Sequence, residues 1–254
     1  MMEISNQIWS MITEFEQNLK YKNRFFVDQD ILDIFDMIIE RNTSALNAGA
    51  KVYRARLNHN LQKSDFLDHA EDFTIPSIEI STVNGRSNVK YINHFYTSSN
   101  QMTALHEKRP NIGQVVSIGT LELIRNQKLI SLTTKPGDFS RFVIENDRHL
   151  SDIDLKKLTE FYNFMFHQFR QPIDPEEADI HYLITQYFVE YVKSKGYDGI
   201  AHSSGAIGGI NDFNQCERVE NINYVFFDDQ DFKFIECDIL QVANNTYSVS
   251  KINE

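Results

Sequence analysis

The sequence predicts an α+β fold, and three observations lead there. Apolar residues recur at helical spacing through most of the first fifty residues. From Lys51 the pattern changes to strict alternation, which is the signature of a strand. Two long helical stripes then lie between strand-like runs at Val115–Leu132 and Ile222–Phe227, with no regular βαβ alternation.

Taken in order, Ile8, Ile12, Phe15 and Leu19 mark a first helix that Ser5 is placed to cap. Ile31, Ile34, Phe35 and Ile38 mark a second, over about Asp30 to Arg41, and Asn47-Ala48-Gly49-Ala50 breaks it off. In KVYRARL, Tyr53, Ala55 and Leu57 point one way and Val52, Arg54 and Arg56 the other. A short strand at Phe95-Tyr96 leads into a helix, with Ser98 or Ser99 as its cap and Pro110 beyond its end. Strands follow at Val115–Leu123 and Lys128–Leu132. A helix opening at Ser151 and Asp154 carries Leu155, Leu158, Tyr162, Met165 and Phe169. A second opens at Asp174-Pro175-Glu176-Glu177, carries Ile180, Leu183, Ile184, Tyr187, Phe188 and Tyr191, and ends at Gly196. The domain division expected is a helical N-terminal extension, residues 1–47, and a catalytic domain, residues 48–254.

Composition narrows the function. The chain has 254 residues, 41% of them hydrophobic, with 19 Phe and 11 Tyr, enough for a substantial core. Its formal net charge of −11 disfavours non-specific binding to nucleic acid or acidic membranes, because phosphates are repelled at long range. Two cysteines, Cys216 and Cys237, make neither a CxxC nor a zinc pattern. No stretch approaches the roughly 20 apolar residues of a membrane span, and the N-terminus lacks the basic and apolar regions of a signal peptide. The expectation is a soluble, cytoplasmic protein that binds no metal and neither nucleic acid nor membrane directly.

Several familiar motifs are absent: a GxxxxGK[ST] phosphate loop, a GxGxxG turn, HExxH and GxSxG. What remains is scattered. Arg54 and Arg56 share a strand face with Cα atoms about 6–7 Å apart, a spacing that suits a diphosphate. From that stretch alone, two solvated arginines is the simpler reading. NGRSN (Asn84–Asn88) is a turn with Arg86 at its centre, and Tyr96 is either a stacking platform or a core aromatic with a wet hydroxyl. Ser203-Ser204-Gly205 allows close backbone approach or makes a plain loop. Glu107 sits in the last turn of its helix, where the dipole disfavours a carboxylate.

The order of these pieces is more telling than any one of them. VYRAR, NGRSN, a strand ending in Tyr96, TALHEKRP, YLITQYFVEYVKSKGYDGIAHSS and NINYVFF together resemble the RES-domain family, named for its arginine, glutamate and serine. The likeness spans Lys51 to Asp229, and the helices before it, with NRFF at Asn23–Phe26, are similar to the extension of longer members. It implies an ADP-ribosyltransferase-like split sheet with NAD in a cleft as substrate, and a toxin held in check by an antitoxin. Carried over residue by residue, it implies Arg54 as the strand arginine, with Arg56 beside it, Arg86 as the turn arginine, Tyr96 as the aromatic and Glu107 as the glutamate. The serine falls on Ser204, with Ser203 as the alternative, and the asparagine on Asn223, with Asn211 as its rival. His202 stands where members usually carry tyrosine.

Nicotinamide leaves NAD as a neutral base, so one carboxylate beside the developing oxocarbenium ion suffices. Glu107 is the expected carboxylate, with Arg86 and Ser204 in support. The acceptor would be water or phosphate, making the enzyme an NAD glycohydrolase or an NAD phosphorylase. Mono-ADP-ribosylation of a protein is the alternative. Leu105, two residues before Glu107 where such transferases often carry a polar group, weighs against it.

Overall fold

The computed structural model of the protein describes residues 2–59, 62, 65–77, 84–174, 176–206 and 221–243. Pro175, Asn211 and Cys216 fall outside them. Helix α1 (Met2–Tyr21) begins upstream of Ser5, which is therefore an interior residue and not the cap. Helix α2 (Gln29–Arg41) starts at Asp28, whose carboxylate accepts from the Asp30 backbone N–H. Both expected apolar stripes are buried: Ile8, Ile12, Phe15 and Leu19 on α1, and Ile31, Ile34, Phe35, Ile38 and Ile39 on α2.

Eight strands form one sheet in the order β1-β5-β6-β7-β3-β2-β4-β8. They are β1 (Thr43–Leu46), β2 (Lys51–Asn58), β3 (Phe95–Ser98), β4 (Val115–Leu123), β5 (Gln127–Leu132), β6 (Gly199–Ser203), β7 (Ile222–Phe226) and β8 (Phe232–Gln241). The β5–β6 pair is parallel and the rest are antiparallel. The joint between the halves is slight. β2 and β3 share a single paired position, Tyr53 with Ser98, whereas β2 and β4 pair over eight. The strands diverge there and the sheet splits.

Helix α3 (Gln101–Glu107) lies beside that split. Its cap is Asn100, whose side chain accepts from the Thr103 N–H at 2.8 Å, and not Ser98 or Ser99. Ser98 is in β3, and the Ser99 hydroxyl accepts from the Ile222 N–H. Helix α4 (Pro136–Asn146) went unpredicted, because it buries only Phe139 and Val143. Helix α5 (Asp152–Arg170) opens at Ser151 as expected, the hydroxyl accepting from the Asp154 N–H. The last long helix is in fact two, α6 (Ala178–His181) and α7 (Leu183–Ser194), with the break at Tyr182.

One core takes up α1, α2, α5, α7 and the inner faces of β5 and β6. Phe35 stands edge-on to both Phe15 and Phe188, with ring centroids 5.7 and 5.0 Å away. Among the described residues no helix is long and apolar enough to cross a membrane.

Candidate active site

The split in the sheet opens into a cleft of about 700 Å³, within the range of ligand pockets. β2, β3, α3, the NGRSN turn, β6 and β7 all contribute to its wall. Alternation along β2 sends Val52 into one apolar cluster and Ala55, with Tyr53 and Leu57, into another. Arg54 and Arg56 therefore share a face, and both reach one acceptor, the carbonyl of Thr74. Arg54 donates as well to the Tyr96 carbonyl at 2.7 Å, and Arg56 to that of Asp72 at 2.9 Å. Thr74 ends a 3₁₀ turn whose Phe73 lies flat against β4 at Gly119. Any Cβ at Gly119 would sit 2.6 Å from that ring, so glycine there lets the turn dock and present its carbonyls to the arginines.

Arg54 is buried, and burial together with Arg56 alongside holds its guanidinium down to about 9. Desolvation lowers Arg56 and Arg86 in the same direction. Lys108, at the end of α3, opens onto the cleft. Desolvation within the wall, then Arg54 and Arg56, bring its ammonium down to about 8. Arg109 follows with φ +45°, a left-handed conformation that costs a non-glycine residue energy. Among the described residues the cleft is thus lined by five cationic side chains, Arg54, Arg56, Arg86, Lys108 and Arg109, and by one carboxylate, that of Glu107. No ion pair among the described residues includes any of the five.

The NGRSN turn is held from two sides. Gly85 and Asn88 face each other across a β-bridge. The Tyr96 hydroxyl donates to Asn88 Oδ1 at 2.7 Å and accepts from the Ser87 N–H at 3.1 Å. Tyr96 is thus a strut for the turn, its hydroxyl engaged instead of wet, and burial raises its pKa to about 12. Gly85 is required here, because a Cβ would come within 2.8 Å of that hydroxyl and closer still to Asn88. From α7, the Thr185 hydroxyl donates to the Arg86 carbonyl, and Gln186 Nε2 to the carbonyls of Gly85 and Asn88 at 2.8 and 3.1 Å. The TQ pair, noticed in the sequence only as part of a pattern, is what anchors the turn.

Arg86 lies over the Tyr182 ring, 5.0 Å from its centroid. Its Nη1 and Nη2 donate to the carbonyls of Gln168 and Gln171 at the C-terminus of α5, where the helix dipole favours a cation. Two of its five N–H groups are committed in this way, which leaves three.

Glu107 is met from β6–β7 and the loop after β6. Ser204 Oγ and Asn223 Nδ2 both donate to its Oε1 at 2.6 Å, as charge-assisted bonds. Asn223 is steadied by Ser98, whose hydroxyl donates to its Oδ1 at 2.9 Å. The two serines part company: Ser203 Oγ donates to the Thr133 carbonyl, and only Ser204 reaches Glu107. Neighbours in extended chain face opposite ways, so these two could not both point inward. Asn88, Thr185 and Gln186, which sequence reasoning left without a role, and Ser98, which it took only as a helix cap, all support the residues it named. Their signal was present in the TQ pair and in the last asparagine of NGRSN. Among the described residues no group of three or more His, Cys, Asp or Glu is placed to hold a metal.

Among the described residues, the split α+β sheet thus sets a cationic cleft around one anchored carboxylate. The chain belongs to the RES domain family, whose model matches residues 51–248. No curated protein matches it. Among solved structures it is similar to a chain of the crystal structure of the M. tuberculosis MbcT-MbcA toxin-antitoxin complex, with 10% sequence identity and a TM-score of 0.43, over 83% of this chain and 93% of that one.

Proposed function

We propose that the protein degrades NAD by cleaving the bond between nicotinamide and ribose, as a toxin restrained by a partner antitoxin. The observation that carries this reading is the pairing of five cations, none of them ion-paired among the described residues, with one carboxylate in a single cleft. Five cations that share a cleft with a single carboxylate and make no close ion pair among the described residues, in a protein of net charge −11, suit an anionic ligand. A dinucleotide diphosphate supplies the charge, and its ribose supplies a centre that becomes positive on reaction. Membership of the RES family supports NAD as the substrate and the toxin setting.

On this reading Arg54, Arg56 and Arg86 hold the diphosphate and so fix the ribose. The ribose C1′–nitrogen bond breaks and its electron pair leaves with nicotinamide, which needs no proton. Glu107 stabilises the oxocarbenium ion that remains. Ser204 and Asn223 bind Oε1 and hold the carboxylate in one orientation. Water or phosphate then attacks C1′, giving ADP-ribose or its 1-phosphate. Leu105 packs beside Ala55, Ala104, Val116 and Ile118, turned into a core and away from any acceptor, which favours a small nucleophile over a protein side chain.

The test is product analysis with NAD, with and without phosphate. Nicotinamide with ADP-ribose marks hydrolysis, and a phosphate-dependent ADP-ribose phosphate marks phosphorolysis. No nicotinamide in either sample defeats the reading and moves the search to a protein acceptor. Glu107→Gln keeps the acceptor for Ser204 and Asn223 but removes the charge. Turnover should fall by about 10²–10³ with NAD binding retained, and an unchanged rate would take Glu107 out of the mechanism.

A further inference from the structure

His202 pairs directly with Asn223 across the β6–β7 ladder, and residues so paired project on the same face. Asn223 donates to Glu107, so the His202 imidazole enters the cleft wall close to that carboxylate. Its Nδ1 lies 3.1 Å from the carbonyl oxygen of Ser203. A carbonyl can only accept, so Nδ1 carries the proton and Nε2 the lone pair. The ring is set against Phe169, with centroids 5.2 Å apart. Burial holds the imidazole down to about 4 against the raising effects of the Ser203 carbonyl and Glu107, with Arg86 and Arg170 also lowering it. It is therefore a neutral acceptor across the physiological range.

Beside the Glu107 carboxylate, which faces the ribose, the side chains that hold it are already engaged. Ser204 and Asn223 commit their donors to Glu107, and the Asn223 oxygen accepts from Ser98. If ribose C1′ sits at Glu107, the group attached to C1′ is the nicotinamide ring, whose N–H donors belong to its carboxamide. We propose that His202 Nε2 accepts a hydrogen bond from the carboxamide N–H of the nicotinamide group, making His202 a specificity-determining residue for that leaving group. This rests on the NAD reading above.

The test uses NAD and its 3-acetylpyridine analogue, whose acetyl group is an uncharged near-isostere of the carboxamide without its N–H donors. The ratio of kcat/KM for the two substrates should fall about tenfold in His202→Phe relative to the unaltered protein, the scale of one buried hydrogen bond. Intrinsic differences in bond lability cancel in that comparison. His202→Gln, whose amide oxygen can take the place of Nε2, should retain the preference. Equal ratios in the unaltered protein and His202→Phe would overturn the proposal while leaving NAD cleavage standing. A measurement without any variant covers the case in which His202→Phe fails to fold. Free nicotinamide should inhibit the unaltered protein about tenfold more strongly than free 3-acetylpyridine, and equal inhibition would also overturn the proposal. If the unaltered protein neither binds nor cleaves NAD, the functional reading falls and this one with it.

Discussion

Phe35 and Arg54 are both almost wholly buried, at 0% and 6% exposure, yet the regions that enclose them are built on different principles. Phe35 is surrounded by apolar side chains from α1, α2 and α7, any of which could be another hydrophobe of similar volume. Arg54 is surrounded by specific acceptors, the carbonyls of Tyr96 and Thr74, at specific distances. The helical region is held by area, which is non-directional and additive. The cleft is held by directed hydrogen bonds, each costly to break because it leaves a buried partner unpaired. Errors in the first region should cost stability and spare chemistry per folded molecule, and errors in the second should cost chemistry as well as stability.

The largest test of that contrast removes residues 1–47. Nine of their apolar side chains lie in the main core: Ile8, Ile12, Phe15, Leu19, Ile31, Ile34, Phe35, Ile38 and Ile39. At about 1.5–3 kcal/mol for each buried side chain, their sum is as large as or larger than the roughly 5–15 kcal/mol by which a domain is stable. β1 would go too, and with it the partner of β5. Residues 48–254 alone should therefore fail to fold cooperatively, seen as loss of near-ultraviolet circular dichroism and of a melting transition. A truncated protein with a sharp transition and native NAD turnover would make the helices an accessory layer.

The same contrast decides what could be read from the sequence. α1, α2 and α5 were legible because each carries a stripe of four or more apolar residues at helical period. α4 was not, since Phe139 and Val143 alone make no stripe. β8 was not either: it lies on the sheet edge against β4 and is largely half-buried or exposed, so burial imposes no clean alternation on FKFIECDILQ. The break at Tyr182 was hidden because Ile180, Leu183 and Ile184 continue the helical spacing across it. In the cleft, Arg54, Arg86 and Glu107 became visible through their order along the chain, each being unremarkable where it stands. Which serine faces Glu107 depends on where β6 ends, and no periodicity carries that.

Gln186→Leu attacks the second region without touching a ligand. It matches the glutamine in size and leaves the carbonyls of Gly85 and Asn88 without their α7 donor. The expected cost is about 1–3 kcal/mol of stability, together with a raised KM, because Arg86 rides on the turn these bonds secure. The measurements are a denaturant midpoint and steady-state kinetics. A lowered midpoint with unchanged KM would mean that the turn keeps its shape through Thr185 and Tyr96 alone, and that the cleft tolerates more than directed bonding implies.

The smallest effect concerns Lys108, where the two principles meet. Desolvation and the neighbouring Arg54 and Arg56 hold its ammonium down to about 8, against an ordinary value near 10.5. Between those limits the folded protein binds fewer protons than the unfolded chain, so this group alone makes stability rise with pH from about 8 to 10.5. Ligand binding has the opposite sign. An anion in the cleft favours the charged ammonium, so the complex takes up a proton above pH 8 and affinity falls as pH rises. Because Lys108 opens onto solvent, screening keeps the loss to about fivefold. The apparent Kd for NAD should therefore increase from pH 8 to pH 10 in the unaltered protein, and much less in Lys108→Arg, whose charge persists. A profile identical in the two proteins would place the ammonium outside the field of the bound anion, and the cationic cluster that acts on the ligand would then consist of the arginines alone.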